Sequence, residues 1–167
     1  AIHRQFLEPL RKLIKDNNLD LGKLDDYLYA KFAPERNAMI AARTVVVDPN
    51  TGELSEMVED GSGMTNAEAE RLMRQFDTDP KRAAYDKAMH LVWEMNAKVA
   101  NLNVHYGFVT KQQRDQWKKL SPHYVPLKDL DSIHFGLKHA KGRTTKAASP
   151  LAASIWQATE TIKRGEL

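Results

Sequence analysis

Cysteine is absent from the 167-residue chain. That excludes disulfides, thiolate metal centres, iron–sulfur clusters and a cysteine nucleophile, and it suits a reducing compartment. Long hydrophobic runs are absent too. No apolar stretch approaches the roughly 18 residues that a membrane span needs, so the sequence predicts a soluble chain. The opening residues are polar, charged and helical in pattern, which predicts no secretory leader. Glycine and proline are sparse, at 8 and 7 residues, too few for a collagenous or low-complexity chain. What is present is an ordinary globular mixture, 42% hydrophobic and 28% charged. The length suits a single domain, expected to span residues 1–167. With no initial methionine and no obvious cap at Leu167, that domain reads as a piece of a much larger protein.

The net charge of +3 hides an asymmetry. Residues 1–109 carry 14 Lys/Arg against 17 Asp/Glu, whereas residues 110–167 carry 11 against 5. A basic C-terminal third suits nucleic acid or an acidic partner; a solvated lysine-rich surface is the plainer reading.

Apolar periodicity places a helix over the first 16 residues, becoming regular near Pro9, and Asn17-Asn18 reads as its end. Asp20 is a candidate N-cap for a second helix with Leu24, Tyr27, Leu28 and Phe32 on one stripe. Pro34 is expected to bend or restart that helix. A β-branched run, Val45-Val46-Val47, followed by Pro49-Asn50-Thr51-Gly52 turn chemistry, predicts a small hairpin arm over residues 44–58. Thr65 with Glu68 is a capping box, Asp79-Pro80 a helix start, and Gly107 the stop of the longest helix. Thr110 with Gln113 caps a short helix through Trp117. Residues 121–127 hold two prolines and predict an extended strap with Tyr124 and Leu127 in the core. Ser149-Pro150 opens the last helix.

The expected fold is therefore all-α, five or six helices around one long central helix. Its core would comprise Leu24, Leu28, Phe32, Leu72, Phe76, Met89, Val92, Met95, Val99, Leu102, Ile155 and Ile162. Residues 138–146 hold four positive charges and no large apolar side chain, so a mobile loop is expected there.

Chemistry-bearing motifs are few. His123, His134 and His139 lack the third ligand and spacing of a zinc site, so no metal is expected. Residues 61–65 precede a helix but lack the lysine and glycine spacing of a phosphate loop. A flexible loop entering a capped helix is the plainer reading. Asp25 and Asp26 diverge by about 100° on a helix, and Glu56, Glu59 and Asp60 form no evident acid–base pair. No serine lies in a nucleophile elbow. No enzyme and no cofactor are expected. Of the aromatics Trp93, Trp117, Tyr124, Phe135 and Trp156, core packing is favoured over base stacking. The residues best suited to nucleic-acid or partner contact are Lys111, Arg114, Lys118, Lys119, Lys138, Lys141, Arg143 and Lys146.

Four stretches, read in order, resemble a known family. They are Leu24-Asp25-Asp26-Tyr27-Leu28-Tyr29-Ala30-Lys31 with Ala33-Pro34-Glu35-Arg36-Asn37; Gly61-Ser62-Gly63-Met64-Thr65-Asn66-Ala67-Glu68-Ala69; Gly107-Phe108-Val109-Thr110 with Trp117 and His123-Tyr124-Val125-Pro126-Leu127; and Gly142-Arg143 with Ala148-Ser149-Pro150-Leu151, ending at Arg164-Gly165-Glu166. Together they resemble the helical region of large polyvalent proteins of phages and mobile elements. Residues 44–59 depart from that pattern as a longer insertion. The resemblance implies a non-enzymatic scaffold or interaction domain of an internal virion protein, delivered with DNA into the host cytoplasm. Its partners would be neighbouring modules or further copies. The alternatives are a DNA-binding domain using the basic C-terminal third, or an adaptor that binds a host protein through the 44–59 arm.

Overall fold

The computed structural model describes residues 2–43, 45–47, 50–52, 54–56, 61–127 and 149–166. The architecture is all-α, with the expected two-stranded arm. A π-helical turn, His3–Leu7, leads into α1, Glu8–Asp16. The change of helix type falls where Pro9 sits in the first turn, a place where its missing N–H has no helical partner to lose. Asn18 ends α1 in the left-handed region at φ 48. The Leu19 amide reaches back to the Ile14 carbonyl at 3.0 Å, and that of Asn18 to Lys15 at 3.2 Å. This paired closure is available because asparagine tolerates positive φ.

Helix α2 spans Leu21–Arg43. Asp20 caps it as expected, its carboxylate accepting the Lys23 amide at 3.0 Å. Pro34 neither breaks nor restarts it; the helix is continuous through that residue. Pro34 is exposed, while Phe32 and Ala33 beside it and Asn37 one turn on are buried. Burial on the inner face offsets the roughly 3 kcal/mol of an internal proline. The arm follows as β1, Val45–Val47, and β2, Leu54–Glu56, antiparallel with Val46 opposite Ser55.

Thr65 accepts the Glu68 amide at 3.2 Å and opens α3, Asn66–Asp77. Helix α4, Arg82–His105, begins later than the Asp79-Pro80 signal predicts. Those two residues form a preceding turn in which the Asp79 carboxylate accepts the Lys81 amide at 2.8 Å. Its 24 residues run about 36 Å. Gly107, at φ 78, stops it: the Phe108 amide returns to Asn103 at 2.8 Å and the Gly107 amide to Val104 at 3.0 Å. Helix α5, Lys111–Leu120, carries the complete Thr110–Gln113 capping box, and α6 spans Pro150–Glu166.

The long α4 is central, packing on α1, α2, α5, α6 and the N-terminal turn. Eight of the twelve expected core residues are buried: Leu24, Leu28, Phe32, Phe76, Met89, Val92, Met95 and Val99. Leu72, Leu102, Ile155 and Ile162 pack half-buried at the margins of the core. Tyr27, on the expected stripe of α2, and Tyr85 of α4 are buried with Phe76. The Tyr27 ring lies 4.5 Å from Phe76 and 5.6 Å from Tyr85. The strap crosses this core as expected, but its deepest residues are Val125 and Pro126. Tyr124 and Leu127 are half-buried. The helices cover the middle of the strap more fully than its ends.

Candidate functional site

Helix α2 carries the first of the four resembling stretches and holds parts of the other three. Tyr29, Ala33, Asn37 and Ile40 recur every three or four residues, one line along a helix. That line holds residues 61–66. The Asn37 amide nitrogen donates to the Met64 carbonyl at 2.8 Å and to Asn66 Oδ1 at 2.9 Å. Asn37 Oδ1 accepts the Ser62 amide at 2.8 Å, and the Tyr29 hydroxyl donates to the Ser62 carbonyl at 2.5 Å. The Ser62 hydroxyl donates to the Met64 carbonyl at 2.9 Å. Ser62, Met64 and Asn37 are buried. Gly61 lies so close to α2 that an added Cβ would sit 2.6 Å from that of Ile40.

This corrects the flexible-loop reading of residues 61–65. The segment is anchored, and its Ser62 and Met64 amides already donate to Asn37 Oδ1 and Ser62 Oγ. Amides held in that way are unavailable to a phosphate, which needs free N–H groups.

The other two stretches reach α2 by single carboxylates. Glu35 clamps the strap: its Oε1 lies 2.6 Å from His123 Nδ1, and its Oε2 accepts the His123 amide at 3.3 Å. The His123 ring also packs edgewise on Trp93 at 4.6 Å. Asp25 fixes the start of α6, accepting from the Ser149 hydroxyl at 2.9 Å and the Leu151 amide at 3.0 Å. Ser149 in turn accepts the Ala152 amide at 3.0 Å. A carboxylate is favoured there because it faces the positive end of the helix. Asp25 is therefore a packing residue directed to α6. Beneath the strap, Asn96 of α4 donates to the Tyr124 carbonyl and to Ser154 Oγ, both at 3.2 Å.

The expected contact residues divide. Lys111, Lys118 and Lys119 lie exposed on α5. Arg114 is half-buried and held by Asn101 at 3.2 Å and Asp115 at 3.0 Å. Lys138, Lys141, Arg143 and Lys146 lie outside the described residues, as do the expected mobile loop, His134, His139 and Phe135. The side chains of Glu56, Glu59 and Asp60 lie outside them as well. Among the described residues no group of three His, Asp or Glu side chains is placed to hold a metal ion. No described helix is long and apolar enough to cross a membrane.

The aromatics divide as well. Trp93 and Trp156 are half-buried. Trp117, placed in the core by the sequence reading, is 46% exposed and stacks on Tyr124 at 6.3 Å with 16° between the rings. Leu120, one turn on, is 47% exposed, and no residue of α5 is buried. Tyr29 and Asn37 are functional to the fold yet were not singled out by spacing. Their signal was the polar side chains set into an otherwise apolar helix face. Comparison with known proteins finds no matching family model, no similar curated protein and no similar solved structure.

Proposed function

We propose that the chain is a non-enzymatic scaffold or interaction domain of a phage-encoded large polyvalent or internal virion protein. Such a protein would be carried in the particle and delivered with DNA into the host cytoplasm. The observation that supports this reading is the use made of the polar residues in the resembling stretches. Tyr29, Asn37, Glu35 and Asp25 are engaged in holding other parts of the same chain against α2. Residues used this way give a rigid body for neighbouring modules to sit on. Mass spectrometry of purified particles of the encoding element tests the proposal. Peptides of this chain should resist external protease until DNA ejection, and their absence from the particles would refute it.

DNA binding is the second reading, favoured by the exposed Lys111, Lys118 and Lys119 beside Trp117. A mobility-shift series in rising salt tests it, since phosphate contacts produce a steep log–log loss of affinity.

A further inference from the structure

Three of the four large hydrophobic side chains exposed among the described residues, Phe108, Trp117 and Leu120, fall within one short stretch at and before α5. Phe108 is shared with Tyr106 and Arg164. Trp117 and Leu120, three residues apart on one helix face, leave paired apolar exposure of the kind that marks a contact surface, with tryptophan the side chain most often at its centre. The surface is also basic: α5 carries Lys111, Arg114, Lys118 and Lys119 against Asp115. It is rigid before any partner arrives, because Thr110 and Gln113 close its capping box and Trp117 rests on Tyr124.

The chain itself contains the complement. By sequence, residues 44–60 hold five acids, Asp48, Glu53, Glu56, Glu59 and Asp60, with no Lys, Arg or His, and they include the apolar run Val45-Val46-Val47. Among the described residues, β1 and β2 pair chiefly with each other, and α5 packs chiefly on α4. A two-stranded hairpin is marginal alone and gains from a surface to lie on.

We propose that the acidic arm of one copy docks on the basic, tryptophan-bearing α5 of a second copy, joining copies head to tail. This deepens the scaffold reading by naming its partner. A nucleic-acid strand fits less well. It would engage the lysines but offer Leu120 nothing, and the fork that binds phosphate best, Arg114, is already held by Asp115 and Asn101. Because donor and acceptor patches differ, the contact is heterologous. It therefore builds open chains, or rings if the rotation closes.

Sedimentation of the intact chain, alongside three variants, provides the test. The variants are residues 44–60 replaced by a Gly-Ser linker, Lys118→Glu with Lys119→Glu, and Trp117→Ala, each checked for unchanged helicity. The intact chain should self-associate at low salt with Kd of about 1–100 μM. That affinity should fall about tenfold or more at about 0.5 M salt, where charges are screened within a few ångströms. Each variant should be monomeric. Mixing the arm-less chain with the charge-reversed chain should restore a 1:1 pair and nothing larger, since each supplies the half the other lacks.

An intact chain that stays monomeric at about 1 mM would overturn the proposal, as would association that survives arm replacement. So would tight binding of a labelled single-stranded oligonucleotide that displaces the arm-dependent complex at stoichiometric concentration. Failure here leaves the scaffold reading standing if the chain is found in particles. Absence from particles leaves self-association intact while removing the virion reading.

Discussion

The segment at residues 61–66 and helix α5 are both short and both lie beside a threonine cap. They differ in where their polar groups go. In the first, two amides and two carbonyls are met by Tyr29, Asn37 and Ser62 inside the protein. In the second, three lysines, a tryptophan and a leucine face outward. A polar residue matched on every side is part of the frame, whereas a large apolar residue left in water points to contact beyond it.

The comparison predicts the largest loss at Asn37. Asn37→Leu leaves the Ser62 amide and the Met64 carbonyl buried with a partner removed. At about 1–3 kcal/mol for the stranded amide, and less for the carbonyl that keeps the Ser62 hydroxyl, the unfolding free energy from denaturant titration should fall by about 2–4 kcal/mol in total. A loss under about 0.5 kcal/mol, the range of ordinary surface substitutions, would erase the distinction. Gly61→Ala comes next. The new methyl meets Ile40 at 2.6 Å, and overpacking of this kind costs about 1–3 kcal/mol.

The strap sharpens the same contrast. Val125→Ala should destabilise by about 2 kcal/mol and by more than Leu127→Ala, because Val125 is fully buried and Leu127 is not. The reverse order would show that the strap lies the other way up.

A smaller effect is expected in alkali. Burial pushes the Tyr124 phenol above its ordinary value, against a lowering by Gln157 and Arg36. Burial raises Tyr27 likewise. A raised folded value stabilises the protein fully below about pH 10 and is lost as pH climbs through it. Urea midpoints should thus fall above that pH, and less steeply in Tyr124→Phe. An identical slope would remove Tyr124 from the account. Least of all, Lys118→Glu with Lys119→Glu should lower the unfolding free energy of the monomer by no more than about 1 kcal/mol, the small cost of acids in the last turn of a helix.

Local chemistry was legible in the sequence. Asp20, Thr65, Thr110 with Gln113, and Gly107 act within four residues of themselves, so their caps could be placed without knowing the fold. The stripe from Met89 to Val99 was legible for the same reason. The unbroken passage of α2 through Pro34 was not legible, because the local preference of proline is overridden by the burial of Phe32 and Ala33, which depends on elements far along the chain. The anchoring of residues 61–66 was not legible either, since its bonds join residues 25 to 33 apart. Nothing in a glycine-serine-glycine run announces a distant asparagine. Trp117 was placed in the core because tryptophan is usually shielded, whereas on α5 its ring stacks on Tyr124 and is otherwise left exposed.

The Ile40–Gly61 contact has a further consequence. With Asn37 bonded to Ser62 just beyond it, the two stems of the intervening segment are held side by side whatever lies between them. Closing a longer loop between fixed ends costs little, about 0.6 kcal/mol per doubling of length. Residues 44–60 thus occupy a grafting port. Sequences of quite different length and character can be installed there without disturbing the helices, and the same frame can carry a new appendage wherever a new contact is wanted.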